Sequence, residues 1–228
     1  MSKRIEKIMS NIECPTAKNG IVDSCIKQFN KEQEKNESVV SSVFDIFDNS
    51  SIENILIKVI VLNNRYSAGL TDNKISESKR IEYELEDKSI PVDVLTMAEH
   101  IFENKAVFDS VSKNEDIIKL VKVLRSVDDN YQDAYSFATK YCSWTFENNI
   151  VPIVDSYVKG LLYRLNNKFG FCEPFTQAKM NDYDEYYKIY ESFIKEYNLY
   201  NYSYKDIDKY LWQYAKNLLV NDNLDIRI

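Results

Sequence analysis

Glycine and proline are scarce in this chain, with four of each among 228 residues. Sheet-rich folds need frequent tight turns, and those turns draw on both residues. The scarcity points away from sandwiches and barrels and towards long helices joined by polar loops. Histidine is scarcer still, with His100 alone. The four cysteines, Cys14, Cys25, Cys142 and Cys172, include no Cys-x-x-Cys pair. A structural zinc site wants four soft ligands at short spacings, and a disulfide scaffold belongs to small secreted chains. All four cysteines are therefore expected to be buried free thiols, with no metal and no cofactor. No apolar run reaches the length needed to cross a bilayer. The N-terminal stretch MSKRIEKIMSN has basic residues without a continuous apolar segment behind them. No secretory signal is read there, and a cytoplasmic protein without a membrane partner is expected.

An excess of positive charge is also missing. The formal net charge is -7 and the pI is near 5.0. Non-specific nucleic-acid binding relies on lysine and arginine around the phosphates. That route is left only to a local basic patch, through which DNA would be the partner; the sequence indicates no particular protein partner. The acidic residues are dispersed and form no tail.

What the chain does have is helical periodicity. Ile21, Val22, Cys25, Ile26 and Phe29 mark a helix over 21–33, and the Lys/Glu run that follows reads as its solvated continuation. Val39, Val40, Val43, Phe44 and Phe47 mark a second, short one. Ser50 with Glu53 reads as a capping box for a helix from Ile52 to about Tyr66. Ile55, Leu56, Val59, Ile60 and Leu62 spread over more than half of its circumference, which predicts a central, heavily buried helix. Residues 71–90 are highly charged and read as a surface segment, partly helical. Further helices are expected over 93–103, around Val107–Val111, over Ile117–Leu124 and over 131–144. Others run from Asp155 or Ser156 to about Leu165, over 182–197 and over 203–220, the last capped by Ser203 and Asp206. The fold class is all-α, about nine helices. They form one domain over 21–220, undivided or in two lobes around a cleft, between a weakly ordered 1–20 and a tail at 221–228. Ten of the seventeen tyrosines lie after residue 180. They read as amphipathic packing, ring buried and hydroxyl wet, with a base-stacking surface as the sharper alternative.

One constellation carries candidate chemistry. In the segment Ser136–Leu162, Lys140 sits at the border of an apolar helical stripe. Asp155 heads the next helix after a turn held by Pro152. A desolvated lysine can attack a carbon electrophile and form a Schiff base. A carboxylate at a helix head can stabilise positive charge developing on a sugar. The plain alternative is an ion pair plus a helix cap.

Four stretches resemble a bacterial family of uncharacterised helical proteins related in fold to the helix-hairpin-helix DNA glycosylases. They are IKVIVLNNRYSAGL (57–70), TMAEHI (96–101), YSFATKYCSW…VPIVDSYV (135–158) and DIDKYLWQYAK (206–216). The resemblance implies a compact orthogonal array of helices of the DNA-glycosylase type. It implies that Val151-Pro152-Ile153-Val154-Asp155 is the turn carrying the catalytic aspartate, and that Lys140 is nucleophile or charge partner. It implies that Asn63 and Asn64 wedge into DNA while a base is extruded. Trp144, Tyr141 and Tyr157 would wall the pocket, and Tyr66 and Trp212 complete the expected substrate-binding set. The expected function is cleavage of a base–sugar bond in nucleic acid. The alternatives are a non-catalytic helical interaction protein that keeps the fold, and an enzyme acting on a small nucleoside or nucleotide.

Overall fold

A computed structural model of the protein describes residues 10–15, 20–66, 68–70, 93–111, 113–127, 134–146 and 150–222. Among these residues there are nine α-helices, one 3-10 turn and no sheet. The helices are α1 (Ile21–Ile46), α2 (Ile52–Tyr66), α3 (Val94–Glu103), α4 (Lys105–Asp109) and α5 (Asn114–Arg125). Then come α6 (Tyr135–Thr145), α7 (Ser156–Phe169), α8 (Tyr183–Glu196) and α9 (Tyr204–Asp222), with the 3-10 turn at Gln177–Asn181. The chain divides into two compact units. One holds Met1–Glu34 with Pro152–Ile228, the other Lys35–Val151.

The two expected N-terminal helices are a single one, α1, of 26 residues. No glycine or proline lies between Gly20 and Gly69, and the intervening Lys/Glu/Gln run consists of good helix formers. Within it Gln28 Nε2 donates to Glu32 Oε1, one turn on, at 2.8 Å. The helix stops at Ile46, where Asp48 makes a turn of its own. Its Oδ1 accepts from Ser50 Oγ, Ser50 N and Asn54 Nδ2 at 2.6, 3.0 and 2.9 Å. These bonds favour the charged form and hold its carboxyl down at about 2.

In the unit Lys35–Val151, α2 packs against α3 and α6, and α5 packs against α6. The cap of α2 is Ser51 rather than Ser50: Ser51 Oγ accepts from Asn54 N at 3.2 Å. Ser50 is taken up by Asp48. The helix is also less buried than its composition predicts. Ile55, Val59 and Leu62 are buried, but Ile57 and Ile60 are exposed. Apolar residues all round the helix do not mean neighbours all round it, and α3 and α6 lie against one side. Ile117, Leu120, Val121 and Leu124 of α5 are fully buried at three- and four-residue spacing. His100 of α3 is held by a Nε2–H donated to the Val123 carbonyl of α5 at 2.8 Å.

In the unit Met1–Glu34 with Pro152–Ile228, α7 packs against α9, and the 3-10 turn touches α7 and α8. Helix α7 outlasts its expected end at Leu165 and stops at Gly170, a left-handed residue with φ 68°. Asn166 then clasps the departing chain. Its Oδ1 accepts from Cys172 N at 2.9 Å and its Nδ2 donates to Glu173 O at 3.4 Å. Helix α9 begins at the capping box of Ser203 and Asp206, as its sequence indicates. The stretch 1–20 is not uniformly loose, since Ile12 and Pro15 are buried. The expected surface segment 71–90 and the tail from 223 lie outside the described residues. None of the four cysteines is in a disulfide; Cys25 and Cys142 are buried, Cys14 and Cys172 only partly. Burial pushes the Cys25 thiol up to about 11.

A Cβ at Gly170 meets nothing within 4 Å, so Gly170→Ala isolates the cost of left-handed backbone. Denaturant unfolding should show a loss of about 1 kcal/mol with an unchanged helical spectrum.

Candidate functional site

Asp155 heads α7 with extended backbone, and its Oδ1 accepts from Tyr157 N at 2.8 Å. It therefore satisfies one of the free N–H groups that every helix start presents. The turn before it is fixed from three directions. The Asp208 carboxyl of α9 accepts from Ile153 N at 2.9 Å. Tyr186 and Tyr183 of α8 donate their hydroxyls to the carbonyls of Ile153 at 2.7 Å and Pro152 at 3.3 Å. The tyrosine hydroxyls here are not wet. Those of Tyr183, Tyr186 and Tyr190 bond to backbone carbonyls inside the unit, which is how these three rings of α8 can be fully buried.

Tyr157 and Trp212 are partly exposed and meet edge to face at 6.3 Å. The other neighbours of Trp212 are the Phe29 ring at 5.5 Å and the Lys216 ammonium at 4.8 Å from the ring centre. Asp155, Tyr157, Trp212 and Asp208 all belong to the unit containing Pro152–Ile228.

Lys140 belongs to the other unit. It is buried rather than at the border of its helix face, and its Nζ donates to the Tyr66 carbonyl at 3.3 Å. Tyr66 is the last residue of α2, so the ammonium sits where a helix leaves carbonyls unpaired and its dipole is negative. The Tyr66 hydroxyl bonds Glu37; burial, then the Glu37 charge, drives that phenol above its ordinary range. The Trp144 ring lies 6.2 Å from those of Tyr66 and Phe44. Tyr141 is fully buried and donates its hydroxyl to Asn49 Oδ1 at 2.7 Å.

Asn63 is half-buried and both ends of its amide are engaged with Leu70. Nδ2 donates to the Leu70 carbonyl at 2.9 Å, and Oδ1 accepts from Leu70 N at 3.1 Å. It closes the loop after α2 as Asn166 closes the loop after α7. Asn64 is exposed.

Sequence reasoning passed over Lys58. It stands among apolar neighbours on α2, and only 2% of it is exposed. Its ammonium bonds Asn49 Oδ1, the atom that also accepts from Tyr141. It lies 5.1 and 5.4 Å from the Phe44 and Tyr141 ring centres. Burial pulls this amine down to about 8, against a smaller opposing pull from Asp48. The signal available in the sequence was its register with Ile55 and Leu62, three and four residues away on the buried face. Among the described residues no group of three or more His, Cys, Asp or Glu could hold a metal ion.

The depressed amine of Lys58 gives a signed prediction. Its folded value near 8 lies below the unfolded value near 10.5. Between them the unfolded chain binds more protons, so stability rises with pH across that window and is lost as pH falls. Lys58→Met removes the term. The stability of the wild type minus that of Lys58→Met should increase from pH 8 to 10.5, measured by urea denaturation at each pH.

Comparison with curated proteins and with solved structures returned no match to either. No described helix is long and apolar enough to cross a membrane. The HI_0787_N family, described as an N-terminal domain, matches residues 21–149. That match covers more than half of the chain and ends within three residues of the boundary between its two compact units. Through residues 21–149 the chain belongs to the HI_0787_N family of N-terminal domains.

Proposed function

We propose that this protein acts by binding rather than by catalysis, as a helical interaction protein. The observation that carries this is the employment of its two candidate reactive groups. The Lys140 ammonium serves the last carbonyl of α2, and the Asp155 carboxylate serves the first turn of α7. Asn63, a candidate DNA wedge, is likewise committed to Leu70. Several lysines that a basic patch would draw on are paired internally: Lys216 with Glu32, and Lys179 and Lys188 with Glu185. Helix α2 turns Ile57 and Ile60 outward, one turn apart.

One observation favours the glycosylase-like alternative. Asp155 follows Val151-Pro152 on a turn anchored by Asp208, Tyr183 and Tyr186. A carboxylate held on a rigid turn suits the stabilisation of a positively charged sugar. In that alternative Asp155 is the electrostatic group and DNA the substrate, with Tyr157 and Trp212 of the same unit as the residues that would contact the base.

The full chain is incubated with duplex DNA carrying damaged bases, and base release is measured with and without borohydride trapping. A binding role predicts neither released base nor adduct. Base release that disappears in Asp155→Asn would overturn it in favour of glycosidic cleavage, and an adduct lost in Lys140→Ala would identify the nucleophile. Stability provides a parallel measure. Asparagine caps a helix about as well as aspartate, so Asp155→Asn should change unfolding free energy by only a few tenths of a kcal/mol, and Asp155→Ala should cost about 1 kcal/mol.

A further inference from the structure

The Tyr190 hydroxyl oxygen has two oxygen neighbours. One is the Tyr204 carbonyl at 3.0 Å, the other Asp208 Oδ1 at 2.9 Å. A phenol has one proton to donate. Were Asp208 a carboxylate, both neighbours would be pure acceptors and one contact would hold two oxygens with no proton between them. A proton on Oδ1 removes the conflict. The acid O–H then donates to Tyr190, the Tyr190 O–H donates to the Tyr204 carbonyl, and Oδ2 accepts from Ile153 N at 2.9 Å. Every polar atom of the chain Asp208, Tyr190, Tyr204 is then served, as buried groups require.

The surroundings favour the neutral acid. Asp208 is 5% exposed. Burial drives its carboxyl well above the usual range, and the like charge of Asp155 adds to that, against the bonds from Ile153 and Tyr190. The groups facing it are the Tyr190 hydroxyl from α8, with Tyr183 and Tyr186 beside it, and Ile153 N–H and Asp155 from the head of α7. Tyr204 faces the network from its own helix.

We propose that Asp208 is kept as a neutral carboxylic acid at the head of a directional hydrogen-bond relay through Tyr190 to the Tyr204 carbonyl, and that its ionisation reverses the relay. On ionisation the acid proton leaves to water. The Tyr190 O–H turns from Tyr204 to the new carboxylate, the Tyr204 carbonyl loses that donor, and the Ile153 N–H bond becomes charge-assisted. The structure thereby couples one buried proton to the first turn of α9 and to the turn that carries Asp155. The folded carboxyl titrates above its unfolded value of about 3.9, so its contribution to stability is complete below that pH and is lost as pH rises through the folded value.

The test is an NMR titration of the full chain labelled with carbon-13 at aspartate Cγ and backbone carbonyls and with nitrogen-15 at the amides. The Asp208 resonance, assigned in the wild type and by its absence from Asp208→Asn, should keep the shift of a protonated acid at neutral pH. The Ile153 amide and the Tyr204 carbonyl should move with the same midpoint, and in Tyr190→Phe the Tyr204 response should vanish. An Asp208 resonance that completes its titration below about pH 5, as an ordinary aspartate does, would overturn the proposal. So would a Tyr204 response unchanged in Tyr190→Phe. If neither variant folds, the wild-type titration alone decides the protonation state.

Discussion

A buried tyrosine must find a partner for its hydroxyl, and much of the C-terminal half follows from how that need is met. Helices α8 and α9 bring fully buried rings into one core. Their hydroxyls reach polar groups inside that core, the carbonyls of Pro152, Ile153 and Tyr204 and the Asp208 carboxyl. One set of bonds therefore does two things. It allows large rings to be buried, and it freezes the turn that sets the start of α7. The Tyr210 hydroxyl is the exception, buried without a partner.

The segment Lys35–Val151 meets a different constraint, the placement of cations in an apolar interior. Lys140 is accommodated at a helix C-terminus, where backbone carbonyls and the dipole receive it. Lys58 has less help. Asn49 and two aromatic faces take its ammonium, and its depressed affinity for a proton records the remaining cost. The Asp48 turn that positions Asn49 is thus joined to α2 and α6 by side chains rather than by backbone pairing.

Much of the fold was legible in the sequence. Helical spacing of Ile117, Leu120, Val121 and Leu124 predicts a buried stripe, and it is one. Ser203 with Asp206 and Asp155 before Ser156 mark helix starts, because capping is a local transaction between neighbours. Errors arose where a local rule had two solutions. Ser50 and Ser51 both satisfy the pattern of an N-cap, and the choice fell to Asp48, which takes Ser50. The Lys/Glu run after Phe29 reads as a solvated continuation of the first helix, and α1 does continue through it and on into the stretch expected as a separate short helix.

Of the candidate site, the sequence by itself determined positions along the chain: Asp155 at a helix head, Asn63 and Tyr66 at a helix end, Lys140 within an apolar helix. Those follow from periodicity and capping, which act over a few residues. Tertiary structure decided what each group touches. It set Lys140 against the Tyr66 carbonyl, 74 residues away, and Asp208 against Ile153, 55 residues away. It also buried Lys58 and turned Ile57 and Ile60 outward on the same helix. Burial is a property of the neighbouring helices. A helix carrying apolar residues on every side does not say which side they will cover, and the affinity of a lysine or an aspartate for its proton is set by that choice.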